Sequence, residues 1–144
     1  MRKEQEIQSV LSKIQNGTTT EACFNNMGLT LDDVKNIANA LKTNTTVNFL
    51  GLKENNIDDA GAKIIAGIFK TNSTLTTVNL SYNKISNEGA IAIALALRDP
   101  NCNVTTLNLA QNFIYDAGIK ALKQAGWDYE TGAVTKRIHQ IKSS

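Results

Sequence analysis

Apolar residues along this chain keep two alternating periods. Within Leu75-Thr-Thr-Val78-Asn-Leu80, Val78 and Leu80 stand at alternate positions, the spacing of a strand with one buried face, with Leu75 leading into it. Beyond Asn83 and Ile85 the spacing becomes helical, with Ala90, Ile93, Ala94 and Leu97 on one stripe. An equivalent stripe lies upstream at Ala62, Ile65, Ala66 and Phe69. Thr30, Asp58 and Ser86 stand just ahead of the predicted helices, where N-caps belong. The pairs Asp32-Asp33 and Asp58-Asp59 fall in first turns, where negative charge meets the helix dipole, so they read as caps rather than catalytic carboxylates.

The strand-and-helix unit repeats. Lys42-Thr43-Asn44-Thr45-Thr46 returns 28 residues later as Lys70-Thr71-Asn72-Ser73-Thr74. The same shift of 28 carries Leu50, Leu52, Asn55, Ile57 and Gly61 onto Val78, Leu80, Asn83, Ile85 and Gly89. A shift of 29 carries these onto Leu107, Leu109, Asn112, Ile114 and Gly118, with the extra residue absorbed in the loop Asp99-Pro100-Asn101-Cys102-Asn103. A worn copy precedes them at Ala22, Phe24, Met27, Leu29, Val34, Ile37 and Leu41. One such unit cannot bury its own apolar face, so its neighbours must stack on it.

The pattern LxxVxLxxNxIxxxG followed by an apolar helix resembles the leucine-rich repeat, and the alternation of 28 and 29 residues resembles its ribonuclease-inhibitor-like class. The resemblance covers residues 19–126 and implies a right-handed α/β solenoid, with a parallel sheet on the concave face and helices on the convex face. It also implies that Asn55, Asn83 and Asn112 form a ladder inside the turns. A carboxamide suits that place because it offers donors and an acceptor to backbone groups that a tight turn leaves unpaired. Met27 holds the ladder position in the first copy, and Asn26 is the expected substitute.

The ends depart from the repeat, as the ends of a stacked array must. Ile7, Val10, Leu11 and Ile14 keep helical spacing and Asn16-Gly17 is a stop signal, which predicts a capping helix over residues 1–17. Residues 18–126 are expected to hold four repeats, the first degenerate, and residues 127–144 a C-terminal cap or tail. Lys123 and Gly126 replace apolar residues of the last helix, which should stop early. Trp127, Tyr129, Val134, Ile138 and Ile141 are then available to fold over the edge. The sequence leaves the conformation of this tail open.

Composition narrows the function classes. In 144 residues, 15 Lys+Arg against 13 Asp+Glu give a net charge of +2, too small to point to nucleic acid or an anionic membrane. The longest apolar run, residues 90–97, is far short of the ~20 residues that span a bilayer. Met1-Arg-Lys-Glu-Gln-Glu6 turns acidic where a secretory signal would turn apolar, so a soluble, cytoplasmic protein is expected, acting in its own cell or in a host cell. Cys23 and Cys102 have no CxxC partner and are expected as free thiols. His139 is the one histidine, with no Ser or Cys at a spacing that would make it a catalytic base. The small basic tail Lys136, Arg137, His139 and Lys142 reads as a solvated terminus. No catalytic residue, metal site or cofactor is expected.

The concave face is the more informative surface. Its outward positions are Cys23, Asn25 and Asn26; Asn48, Phe49, Gly51, Lys53 and Glu54; Thr76, Thr77, Asn79, Ser81 and Tyr82; and Thr105, Thr106, Asn108, Ala110 and Gln111. This face is nearly neutral, and a nucleic-acid groove would need more Lys and Arg. Phe49, Lys53, Glu54, Asn79, Tyr82, Asn108 and Gln111 are the candidate contacts for a protein partner, with the aromatics as anchors. The expected function is a non-enzymatic interaction module. Repeats similar to these occur in NOD-like immune receptors, tropomodulins and effectors of intracellular bacteria, and an effector is one reading. The alternatives are a small-GTPase regulator resembling Ran GTPase-activating proteins, or a repeat unit that self-associates through its terminal repeats.

Overall fold

In the computed structural model, which describes residues 2–130 and 132–136, strands and helices alternate along the chain. Helix α1 (Glu4–Asn16) leads into β1 (Glu21–Cys23), α2 (Leu31–Lys42), β2 (Phe49–Gly51), α3 (Asp59–Thr71) and β3 (Thr77–Asn79). The chain continues through α4 (Asn87–Leu97), β4 (Thr106–Asn108), α5 (Asp116–Gln124), β5 (Trp127–Glu130) and β6 (Ala133–Lys136). Strands β1 to β4 pair in parallel, with Ala22, Leu50, Val78 and Leu107 in register. Those four residues point into the core and their neighbours at either side point to the concave face. The result is the leucine-rich-repeat solenoid expected from the repeat, sheet inside and helices outside.

The core is one layer between sheet and helices. Leu50, Leu52, Ile65 and Phe69 are fully buried, as are Leu80, Ile93 and Leu109 in the units that follow. Ile7, Leu11 and Ile14 of α1 are buried as well, so that helix closes the N-terminal side of the layer. It ends at Gly17, whose left-handed φ of 65° lets its N–H return to Ile14.

The asparagine ladder is present, and each rung serves the turn before its own. Asn83 Oδ1 accepts the N–H groups of Asn55 and Ile57, both at 2.9 Å, while its Nδ2 donates to Leu52 O at 3.0 Å. Asn55 likewise accepts from Met27 N at 3.0 Å and Leu29 N at 3.3 Å. The first turn is therefore satisfied from the next repeat, and Asn26 is not the substitute that the sequence led us to expect. Met27 is tolerated at the ladder position because no strand-to-turn unit precedes it among the repeats to need a side-chain amide there. A second ladder runs at the opposite turns: Asn72 Nδ2 donates to Leu41 O at 2.8 Å, and its Oδ1 accepts from Thr74 and Leu75.

The caps are of two kinds. Thr30 forms a capping box with Asp33, and Asp58 accepts from Gly61 N at 3.2 Å. Arg2 pairs with Asp33, and that guanidinium, helped by the Thr30 donors, holds the carboxyl below its usual range. Ser86 stands at the N-cap of α4, but its side chain caps nothing. That role passes to Asp59, one repeat upstream.

At the C-terminal end the sheet stops being parallel. Strands β5 and β6 form a hairpin, and β6 pairs antiparallel with β4, giving the order β1-β2-β3-β4-β6-β5. Trp127 and Val134 are buried beneath this hairpin and Tyr129 packs against the core. The hairpin fits because Gly132, at φ 94°, lies against Ala110 so closely that a Cβ would overlap the Ala110 backbone. Helix α5 ends at Gln124, with Lys123 exposed. Ile138, His139, Ile141 and the basic residues Arg137 and Lys142 lie outside the described residues.

Candidate functional site

The concave face begins with columns set by strand register. Glu21, Phe49, Thr77 and Thr106 make one column, and Cys23, Gly51, Asn79 and Asn108 the next. Phe49 is half-buried rather than free. A Cβ on Gly51 would come within 3.2 Å of the Phe49 ring and 2.8 Å of Asn25 Oδ1, so both side chains close over that glycine. Asn79 Oδ1 accepts from Ser81 N at 2.9 Å and Asn108 Oδ1 from Ala110 N at 2.9 Å. Their acceptors are thus used locally, and what they turn to the concave face are NH₂ donors.

A second group stands where the strands run into the turns. Asn26, Glu54, Tyr82 and Gln111 occupy the same repeat position, and all four are left-handed, with φ of 53°, 60°, 58° and 58°. Residues other than glycine and asparagine take this conformation at a cost, most of all bulky ones. Tyr82 is nonetheless 52% exposed, so its ring adds little to the core. Lys53 Nζ lies 5.4 Å from the centroid of that ring, a cation–π distance. Of the seven candidates, Lys53, Glu54, Tyr82 and Gln111 gather at this rim, while Phe49, Asn79 and Asn108 lie lower on the sheet.

Glu54, Tyr82 and Gln111 line an open groove of about 450 Å³ together with Asn26, Asn56 and Phe113. The ladder residues Asn83 and Asn112 form part of its wall. Phe113 is 51% exposed and was not among the candidates. Its signal was in the repeat: it is an aromatic at a position that holds Asn56 and Lys84 in the two preceding copies. Tyr115, another exposed aromatic, follows two residues later at the start of α5.

The rim offers aromatic rings, carboxamides, one cation and one carboxylate. Among the described residues no group of His, Cys, Asp and Glu is arranged to hold a metal ion, and no disulfide joins Cys23 to Cys102. No helix of the described residues is long and apolar enough to cross a membrane.

Comparison with known proteins agrees with this architecture. A family model described as leucine-rich repeat matches residues 43–66, 71–94 and 101–123. No curated protein matches the chain. Among solved structures the chain is similar to leiomodin-1 actin-binding site 2, at 29% identity and a TM-score of 0.71, over 83% of this chain and 70% of that one. It is similar also to the tropomodulin C-terminal domain of Caenorhabditis elegans, at 14% identity and a TM-score of 0.69, over 83% and 74%. The latter likeness is one of fold.

Proposed function

The chain is a leucine-rich-repeat protein, and from that premise we propose that it works as a non-catalytic docking module that receives a protein on its concave face, at the rim held by Glu54, Tyr82 and Gln111. The observation that carries this reading is Tyr82 itself: a large ring, half in water, on a backbone conformation that a smaller residue would adopt at less cost. Exposed aromatics of this kind are the usual anchors of protein interfaces. With Lys53, Glu54 and Glu21 as its charges, the face lacks the cationic density that a phosphate backbone requires.

Actin is the partner to test first, because the chain shares 29% identity with a structure titled as an actin-binding site. Purified chain would be titrated into labelled monomeric actin and followed by fluorescence anisotropy, with Tyr82→Asn in parallel. Saturable binding by the wild type that is lost in the variant supports both the partner and the surface. Binding that survives in the variant moves the contact off the rim. The readings as a bacterial effector acting in a host cytoplasm, or as a small-GTPase regulator, rest on the sequence resemblance alone, as does assignment to the ribonuclease-inhibitor-like class. Stimulation of GTP hydrolysis across a panel of small GTPases would favour the regulator. A dimer or filament in sedimentation would favour self-association.

A further inference from the structure

The rim groove has a more particular chemistry than protein docking requires. Tyr82 and Phe113 stand in it with about half of each side chain in water. Asn26, Asn56 and Gln111 line it with side-chain amides that make no hydrogen bond within the described residues. Glu54 adds a carboxylate that no described cation pairs, since Lys53 sits over the Tyr82 ring instead.

Resting on the protein-binding reading of this rim, we propose that the groove receives a proline-rich segment in the polyproline II conformation, with a basic residue of that segment against Glu54. Three features agree. A polyproline II segment makes no internal hydrogen bonds, so its carbonyls need donors, and free carboxamides supply them. Proline lacks an N–H, so such a segment demands few acceptors, and its rings lie flat on aromatic faces such as Tyr82 and Phe113. The span also fits. Residues 26, 54, 82 and 111 follow four neighbouring strands, one in each turn, about 14 Å across at the usual ~4.8 Å strand spacing. Four to five residues of polyproline II, rising ~3.1 Å each, cover that distance. The lone carboxylate then sets polarity, favouring a segment with Arg or Lys at one end.

The test uses the full chain and a fluorescein-labelled peptide of one arginine followed by seven prolines. Two control peptides replace the arginine by glutamate or all prolines by serine. Anisotropy gives the affinity, and amide shifts in ¹⁵N-labelled protein give the place. The expected result is saturable binding, with the largest shifts at Glu54, Tyr82, Gln111 and Phe113. Glu54→Gln should weaken the arginine peptide by about tenfold and level it with the glutamate peptide. Phe113→Ala or Tyr82→Asn should weaken it by about tenfold or more. Trp127 emission reports that each variant is folded. No saturable binding at millimolar peptide, equal binding of the serine peptide, or shifts centred away from the rim would each overturn the proposal. If Tyr82→Asn abolishes actin binding while the proline peptide never binds the wild type, the docking surface stands and its ligand class falls. If rim variants alter neither, both fall.

Discussion

The Asp59 carboxylate in the first turn of α3 accepts the N–H of Ser86 at 2.8 Å and of Gly89 at 3.0 Å, and thereby caps the helix of the next repeat. Asn87 does the same one repeat on, accepting from Tyr115 N at 2.8 Å and Gly118 N at 3.1 Å. The starts of α4 and α5 are thus each held by the preceding repeat, which ties the stacking of repeats to local helix stability. The equivalent residue in α2 is Leu31, which cannot accept, and there α3 uses its own Asp58.

Asp59→Ala should therefore cost about 1–2 kcal/mol, the upper part of the range for a lost N-cap, because two N–H groups lose their acceptor. Urea denaturation monitored by circular dichroism checks this. Asp58→Ala, which frees a single N–H, should cost less.

The same carboxylate makes stability depend on pH. Burial opposes its charge, but the hydroxyl and N–H of Ser86 and the N–H of Gly89 outweigh it and keep the group below its ordinary range. A folded-state pKa lower than the unfolded one contributes stability that is full above the unfolded value of about 3.9 and is lost as pH falls through the folded value. Asp33, lowered by Arg2, acts in the same direction. Melting curves from pH 6 to 2 should fall steeply below about pH 4, and less steeply in Asp59→Asn.

Asn83→Ala should be among the most damaging polar substitutions. It strands the N–H groups of Asn55 and Ile57 and the carbonyl of Leu52, all buried, at about 1–3 kcal/mol for each group left unsatisfied. Asn112, partly exposed, serves Ile85 N in the same way and should cost less when truncated. Comparative urea midpoints decide the order.

Gly132→Ala should detach the C-terminal hairpin, since the new Cβ meets the Ala110 backbone and the residue already holds φ 94°. Trp127, the only tryptophan, is 1% exposed and reports the event. Its emission should shift to the red at temperatures where the wild type is still native. An unshifted spectrum would mean that the hairpin tolerates the side chain.

The repeat was legible because it is written in residue types: an apolar period that switches from two to 3.6, and asparagines 28 and 29 residues apart. The direction of the ladder was not, because which turn an amide serves depends on stacking between repeats. Expecting Asn26 to replace Met27 failed for that reason. The hairpin was hidden because Trp127, Tyr129 and Val134 fit several ways of covering an edge, and Gly132 reveals its purpose only against Ala110. At the candidate site, Tyr82, Glu54 and Gln111 could be placed on the concave side from register alone. Phe49 could not be seen to lean over Gly51, and Phe113 drew no notice because its position is polar in other copies.

The central claim is that the rim of the concave face is where this protein is read by another, and it is tested most directly by affinity capture with matched proteins. Wild type and a Tyr82→Asn/Phe113→Ala variant, shown by melting to be equally folded, would be immobilised and exposed to one eukaryotic lysate, with retained proteins quantified by mass spectrometry. The account predicts at least one protein held by the wild type and lost by the variant, with the melting temperature unchanged or raised by the asparagine at φ 58°. A variant that retains every protein the wild type holds would contradict it.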